Sequence, residues 1–477
     1  MLIAFRVGNF LSFEEKQTFS MLFDRSKEDE LNENEKKILK KAFIYGSNAA
    51  GKSNLIKAMM YSQAQIVGYD PLRDYTDVDF RMRTSESFFN NRVFEEEGNE
   101  ESYFEYYLRT EMGTFSYGFE MATAGSIPTS EWLVEIKEDG SEEVIYELDI
   151  GRDDGIKDRK MDLYLYEFSR LNDLKAAKCR SVYDWFANDL IIKTYDSRDL
   201  GTIVSKKTLE KILGKMYNNE EEADESKGGL LYRYDTKIVG FKILEMIGFG
   251  IMNNVNYTNR VIKDIEKTAV TDEDDPYQLS FGHRLDGSMM DEGEYCILFR
   301  ENRMECFEKN SIFDRRMQPV DPGSAEKYKR PKMAQEILFV HKNKYGTYST
   351  QYENESDGTK RMIQLLLLIN DSRIVNGIRH KNGIKTIIID EIDRSLQTNV
   401  LEKMIKDYSQ DKNIKTQLIS TTHETKLMDF IDEKETWFIS NKGNKSELYS
   451  RYQFELIDRK KNRDAYLSGA FGAIPRI

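Results

Sequence analysis

Residues 43–60 read "FIYGSNAAGKSNLIKAMM", two glycines, a lysine and a serine set between an apolar run and a helical one. Gly46, four residues, then Gly51-Lys52-Ser53 match the spacing G-x-x-x-x-G-K-[ST] of a phosphate-cradling loop. Glycine permits the tight path and the close approach of backbone to phosphate. Inward-facing N–H groups and the N-terminus of the next helix attract the anion. Gly46, Asn48, Gly51, Lys52, Ser53 and Asn54 are the expected nucleotide-binding set. Lys52 would reach the β- and γ-phosphates, and Ser53 Oγ would be a ligand of Mg²⁺.

A second feature is "TIIIDEID", an apolar strand pattern that ends in acid. There Asp390 is placed to hold Mg²⁺ through water. Glu391 is placed to orient and deprotonate an attacking water, help worth typically ~10²–10⁴ in rate. "ESDGTKRMIQLL" sets Ser356, Asp357, Gly358 and Thr359 ahead of a helical pattern. That is another helix N-terminus, able to meet an anion or to cap itself. Ser356 precedes Asp390 by 34 residues, room for a helix, a turn and a strand. His423 closes the apolar run of "LISTTHET", 33 residues after Asp390. Parallel strands present their C-terminal ends on one ligand-binding edge, which suits a γ-phosphate sensor.

These groups need elements to hold them. "MLIAFRVGNFLSFEEKQTFSMLF" reads as two strands about a "GNFLSF" turn, followed by a polar stretch up to Lys41. "SYFEYYLR" and "TFSYGFEM" alternate about Gly113, and "EWLVEIKEDGSEEVIYEL" turns at Asp139-Gly140, two hairpin signatures. In 151–335, "DWFANDLIIK", "KKTLEKILGKMY" and "FKILEMIGF" read as short helices, with "NNEEEADESKGG" and "TDEDDP" as acidic loops. No heptad pattern persists, so no long coiled coil is expected. Further on, "EILFVHKN" and "GTYSTQYE" read as a strand pair and "TKRMIQLLLLINDSRIV" as a helix. "KTIIIDEID" and "KTQLISTTHE" read as buried strands, with "ETWFIS" and "SELYSRY" closing the sheet.

Composition narrows the class. No apolar run approaches 18 residues and the first ten residues are too polar for a secretory signal, so no membrane span or export is expected. Three cysteines without CxxC spacing and four histidines argue against zinc or disulfides and for a reducing cytoplasm. A net charge of −13 argues against a surface built for nucleic acid, although "EKYKRPK" and "RKKNR" leave room for a local DNA contact.

The order of motifs resembles the ABC-type ATPases of the SMC, RecF and Rad50 class, and "FRVGNFLSF" is similar to the opening of that class. "ESDGTKRMIQLL", "DEIDRSL", "STTHET" and "YLSGAFGAIPR" resemble more closely the stand-alone ABC-type ATPases of bacterial abortive-infection and phage-defence operons. The ATPases of the Septu and PARIS systems are relatives in that sense. The resemblance covers 1–150 and 335–477. It implies an α/β fold, an ABC-type P-loop ATPase head with an antiparallel β subdomain and an inserted, mostly helical lobe. The head halves would be 1–150 and 336–477, and the lobe 151–335. It implies a Mg²⁺-dependent ATPase with Lys52, Glu391 and His423 as catalytic residues and with Ser53 and Asp390 at the metal. Ser356 and Gly358 would complete the site of the opposite protomer, in a homodimer or higher homo-oligomer. The implied role is a nucleotide-gated switch in antiphage defence that controls a separate effector of nuclease or TOPRIM type encoded nearby. Only 54 residues follow His423, so no nuclease domain after the ATPase is expected. The alternative is a RecF/SMC-like ATPase of DNA repair or maintenance. Two departures stand out. Gln397-Thr398 replaces the His-Pro frequent in relatives, and no Q-loop glutamine is placed, Gln63 and Gln65 lying too close to the first helix.

Overall fold

The computed structural model describes residues 1–23, 38–67, 101–121, 128–149, 163–171, 173–194, 202–217, 223–234, 236–245, 293–300, 303–308, 335–370, 373–374, 385–443, 445–454 and 462–473. The polar stretch before Lys41 lies mostly outside them. So do "TDEDDP", "EKYKRPK" and most of "RKKNR".

The central sheet has the order β20-β19-β3-β18-β17-β8. Its members are β3 (Lys41–Tyr45), β8 (Leu190–Lys193), β17 (Thr386–Ile389), β18 (Gln417–Thr421), β19 (Thr436–Lys442) and β20 (Lys445–Ser450). All neighbours are parallel except the β19–β20 hairpin. A parallel sheet covered on both faces demands continuous apolar runs rather than alternation. "TIII" and "AFIY" obey this, with every side chain of both buried. Phe43, Tyr45, Ile387, Ile389 and Leu418 face one core. Ala42, Ile44, Ile388 and Ile419 face the other.

One face meets an antiparallel sheet ordered β2-β1-β4-β5-β6-β7. Its strands are β1 (Leu2–Gly8), β2 (Gln17–Ser20), β4 (Ser102–Thr110), β5 (Gly113–Met121), β6 (Pro128–Ile136) and β7 (Glu142–Asp149). Both expected hairpins form, with Gly113 at φ 139° and Gly140 at φ 84° in their turns. Helix α1 (Lys52–Val67), the short α2 (Leu165–Ser169) and α3 (Leu174–Asp184) share this core. Gln417 fastens the two sheets at their far end. It accepts from Leu2 N at 2.9 Å and donates to Leu2 O at 2.9 Å. Within the antiparallel sheet, Glu131 is fully buried and receives the hydroxyls of Tyr117 and Tyr146 and the N–H groups of Tyr164 and Leu165. Burial pushes its carboxyl up to about 7, against the pull of those donors.

The other face is covered by helices and a third sheet, β10-β11-β14-β13-β12-β9-β16 with β15 beside β14. Its strands are β9 (Thr202–Ser205), β10 (Lys215–Met216), β11 (Ile238–Glu245), β12 (Glu294–Arg300), β13 (Arg303–Glu308), β14 (Gln335–Asn343), β15 (Gly346–Gln351) and β16 (Arg373–Ile374). The helices are α4 (Lys206–Leu213), α5 (Leu230–Arg233), α6 (Asp357–Ile369) and α7 (Thr398–Gln410), with α8 (Asn462–Leu467) near the end of the chain. The whole is mixed α/β, a parallel P-loop sheet with an antiparallel sheet packed on it, as expected of an ABC-type head.

The stretch 151–335 differs from the mostly helical content expected of it. Among its described residues strands are as prominent as helices. "KKTLEKIL" is helical, but "FKILE" is part of β11 and pairs with β14. "LIIK" is β8, an edge strand of the central sheet itself. Both runs are short and apolar, and such runs carry no decisive period. Sheet partners distant in sequence settle them as strands.

Candidate nucleotide site

Strand β3 ends at Tyr45 and α1 begins at Lys52, with the glycine loop between. Gly51 lies at φ 111°, and a Cβ there would fall 2.1 Å from Ser446 Oγ. A Cβ on Gly46 would fall 2.5 Å from Ile439 O. Glycine is thus required twice, by crowding from β19–β20 and once by backbone. Ala49 also takes a left-handed φ of 61°. Lys52 is nearly buried and folds over its own loop, donating to Gly46 O at 2.8 Å and Ser47 O at 3.0 Å. Burial lowers its pKa, opposed by the carboxylates of Asp390, Glu391 and Asp393. Asn48 is exposed near the tip of the loop, and Ser53 is half-buried in the first turn of α1. Asn54 spends its amide on Ser12 Oγ at 2.7 Å. Ser446 Oγ lies 2.7 Å from both Ser12 Oγ and Ala50 O. Ser12, from the "GNFLSF" turn, and Ser446 therefore brace the loop from outside. Nothing in their local sequence signals that role.

Asp390 and Glu391 follow β17 at the carboxyl edge. Asp390 N donates to Lys193 O of β8 at 2.9 Å, prolonging the ladder by one bond. The chain then turns, and Glu391 takes a left-handed φ of 51°. Its N–H donates to Thr421 Oγ1 at 2.7 Å, and the Thr421 hydroxyl donates to Asp390 Oδ1 at 2.5 Å. The Glu391 carboxylate is half-exposed and lies 3.4 Å from Arg394, a weak contact at that exposure. His423 stands open at the end of β18, its N–H donating to Asp393 Oδ1 at 3.2 Å. Partial burial, then the Lys52 ammonium, lower its pKa, while Asp393, Glu391 and Asp390 oppose. Lys52, Asp390, Glu391 and His423 therefore share one electrostatic field at one sheet edge. Lys193, whose side chain is buried in the neighbouring strand, was missed by motif reading and joins them through its carbonyl.

Ser356 is exposed and is the N-cap of α6, accepting from Thr359 N at 3.1 Å. Gly358 packs against the turn after Glu391, since a Cβ there would fall 2.9 Å from Ser395 O. Gln63 donates to Phe186 O and Leu190 O, both at 2.8 Å, which makes it a tie between α1 and β8 rather than a site residue.

The site suits Mg²⁺ by chemistry. A hard cation takes oxygen donors and few protein ligands when phosphates supply the rest. Ser53 offers a hydroxyl, and Asp390 keeps Oδ2 without a protein donor among the described residues once Thr421 has engaged Oδ1.

The model of a family described as "AAA domain, putative AbiEii toxin, Type IV TA system" matches residues 41–235 and 244–429. The chain belongs to this family. As a member of this AbiEii-type AAA family it is a P-loop-type ATPase, and the matched span holds the phosphate loop, the strand ending in Asp390-Glu391 and His423. Solved structures of similar shape include an SMC head bound to the C-winged helix domain of ScpA, 14% identical, covering 94% of this chain and 97% of that one at a TM-score of 0.38. The SMC head domain from Thermotoga maritima is 12% identical, covering 94% and 98% at 0.33. An Smc head with an extended coiled coil, bound to the C-terminal domain of ScpA derived from Pyrococcus furiosus, is 14% identical, covering 98% and 98% at 0.37. Likeness of that degree carries no argument about function. Comparison with curated proteins gives no match. Among the described residues, no helix is long and apolar enough to cross a membrane.

Proposed function

We propose that this AbiEii-type ATPase hydrolyses Mg²⁺-ATP and works as a nucleotide-gated switch in abortive infection, acting on a separate effector. The observation that carries the reading is geometric: the glycine loop joins β3 to α1, and the strands ending at Asp390-Glu391 and before His423 lie parallel to β3 in one sheet. A phosphate entering the loop competes with the Gly46 and Ser47 carbonyls for the Lys52 ammonium. Glu391 takes the proton of the attacking water, and His423 reads the γ-phosphate. Bound Mg²⁺, held by Ser53 and by Asp390 through water, would neutralise charge on the phosphates. Ser356 and Gly358 serve a second copy of the chain, so that ATP joins two protomers and hydrolysis frees them. The defence role rests on the family description. The Septu and PARIS relationship stays a matter of motif resemblance.

The experiment pairs Lys52→Ala with Glu391→Gln. Lys52→Ala loses ATP binding. Glu391→Gln binds ATP, turns over roughly 10²–10⁴-fold more slowly, and accumulates an ATP-dependent dimer by light scattering. In cells carrying the neighbouring genes, Lys52→Ala abolishes growth arrest on phage challenge. Wild-type turnover in Glu391→Gln overturns the base assignment. Undiminished arrest in Lys52→Ala overturns the switch.

A further inference from the structure

We propose that Thr421 is the positioning residue of the hydrolytic edge, one buried hydroxyl that sets Asp390 and Glu391 together. The inference rests on the ATPase reading above and concerns how that site is held.

The turn after β17 has an unusual need. Asp390 N still finds a strand partner in Lys193 O. Glu391 N does not, because the chain has swung into the left-handed region at φ 51°. A non-glycine residue held there costs on the order of 1 kcal/mol, a cost its surroundings must offset. Thr421, fully buried at the end of β18, supplies the fixing. Its Oγ1 accepts the Glu391 N–H at 2.7 Å, and its carbonyl accepts the Ile392 N–H at 3.1 Å. The N–H groups of Glu391 and Ile392 thus both end on one residue.

The same hydroxyl has one proton to give, and it goes to Asp390 Oδ1 at 2.5 Å. Glu391 N–H, Thr421 O–H and Asp390 carboxylate form a relay with a fixed direction. It orients the Asp390 plane so that Oδ2 is the oxygen presented to a hydrated cation. It also holds the Glu391 backbone, so the carboxylate projects from the sheet edge. Serine would keep the relay. Valine, of nearly the same shape, would delete both bonds and leave the Glu391 N–H without its acceptor. Two residues on, the backbone N–H of His423 donates to Asp393 Oδ1 at 3.2 Å, so the strand that carries the phosphate sensor also sets the carboxylates.

The test compares wild type, Thr421→Val, Thr421→Ser and Lys52→Ala in the full chain. Dissociation constants of a fluorescent ATP analogue are measured in Mg²⁺ and in EDTA, with turnover and thermal melts alongside. In Thr421→Val, affinity in EDTA stays near wild type. The tightening by Mg²⁺ and the turnover each fall about 10–100-fold, the range for losing an outer-shell partner of a metal ligand. Thr421→Ser restores both. A merely structural hydroxyl would lower the melting temperature without changing the Mg²⁺-to-EDTA ratio. An unchanged ratio in Thr421→Val, or a Thr421→Ser that behaves like it, overturns the inference. If valine prevents folding, Thr421→Cys, similar in size with a weaker donor and acceptor, carries the same comparison. If wild type, like Lys52→Ala, neither binds nor hydrolyses ATP, the ATPase reading itself has failed, an outcome separate from the first.

Discussion

Two helices in this chain begin with a small-residue, glycine-bearing turn, and they solve the same problem in opposite ways. The N-terminus of α1 has no acidic residue in its first turn, and it carries a lysine folded over its own loop carbonyls. The N-terminus of α6 is closed by Ser356, with Asp357 in the first turn. Free N–H groups at a helix start favour an anion, and a capping hydroxyl or nearby carboxylate consumes that preference. The first helix start is open to an anion, and the second satisfies itself. Under the composite site proposed above, the second would open only to a phosphate brought by another protomer.

The glycines offer the strongest separation. Gly51→Ala places a Cβ 2.1 Å from Ser446 Oγ at a φ of 111°. Overpacking and strain together cost about 2–5 kcal/mol, and ATP binding is lost with the loop geometry. Gly358→Ala meets Ser395 O at 2.9 Å but keeps a helical backbone. There, better helix propensity offsets part of the crowding, leaving about 1–2 kcal/mol. Chemical denaturation of both variants checks the ranking, and equal losses would remove the distinction between the two turns.

Ser356→Arg addresses the division of labour. The variant retains ATP binding, because Lys52 and its loop are intact, but loses turnover. Lys52→Ala loses both. Mixed after demonstrated subunit exchange, the two recover up to about a quarter of wild-type turnover, since random pairing makes half of the dimers hybrids and each hybrid keeps one of its two sites intact. Absence of recovery places Ser356 and Lys52 in the same protomer's site or Ser356 in none.

Motif residues were legible in the sequence because local rules generate them. "GSNAAGKS" and "TIIIDEID" specify a loop and a strand end whatever the rest of the chain does. The hairpins at Gly113 and Asp139-Gly140 were legible for the same reason, since turn chemistry is local. What escaped is long-range. "LIIK" and "FKILE" looked helical because their strand partners lie far along the chain, Thr386–Ile389 for the first and β14 for the second. Those helical readings agree with the mostly helical lobe that the resemblance implies, and both give way to strands. Ser12 and Ser446 are 434 residues apart, and no spacing rule joins them. Thr421 carries no motif signal of its own within "LISTTHET". Its role follows from Glu391 turning left-handed, which periodicity does not reveal.

The smallest effect is the most specific. Ser356→Ala deletes the side-chain acceptor for Thr359 N, and loss of an N-cap costs about 1 kcal/mol. Ser356→Asp keeps an acceptor of equal quality and adds a negative charge that the helix N-terminus tolerates, so its stability matches wild type. The two substitutions separate what Ser356 does for its own helix from what it does for a neighbour. Alanine lowers the melting temperature by about 1 °C and opens the N-terminus to an incoming phosphate, so ATP-dependent dimerisation is kept. Aspartate leaves the melting temperature unchanged and sets a carboxylate where the partner's phosphate would arrive, so dimerisation is lost. Thermal melts and light scattering on the same samples read both quantities. If aspartate dimerises with ATP as wild type does, Ser356 is a cap and nothing more, and the likeness between the two helix starts ends at their glycines.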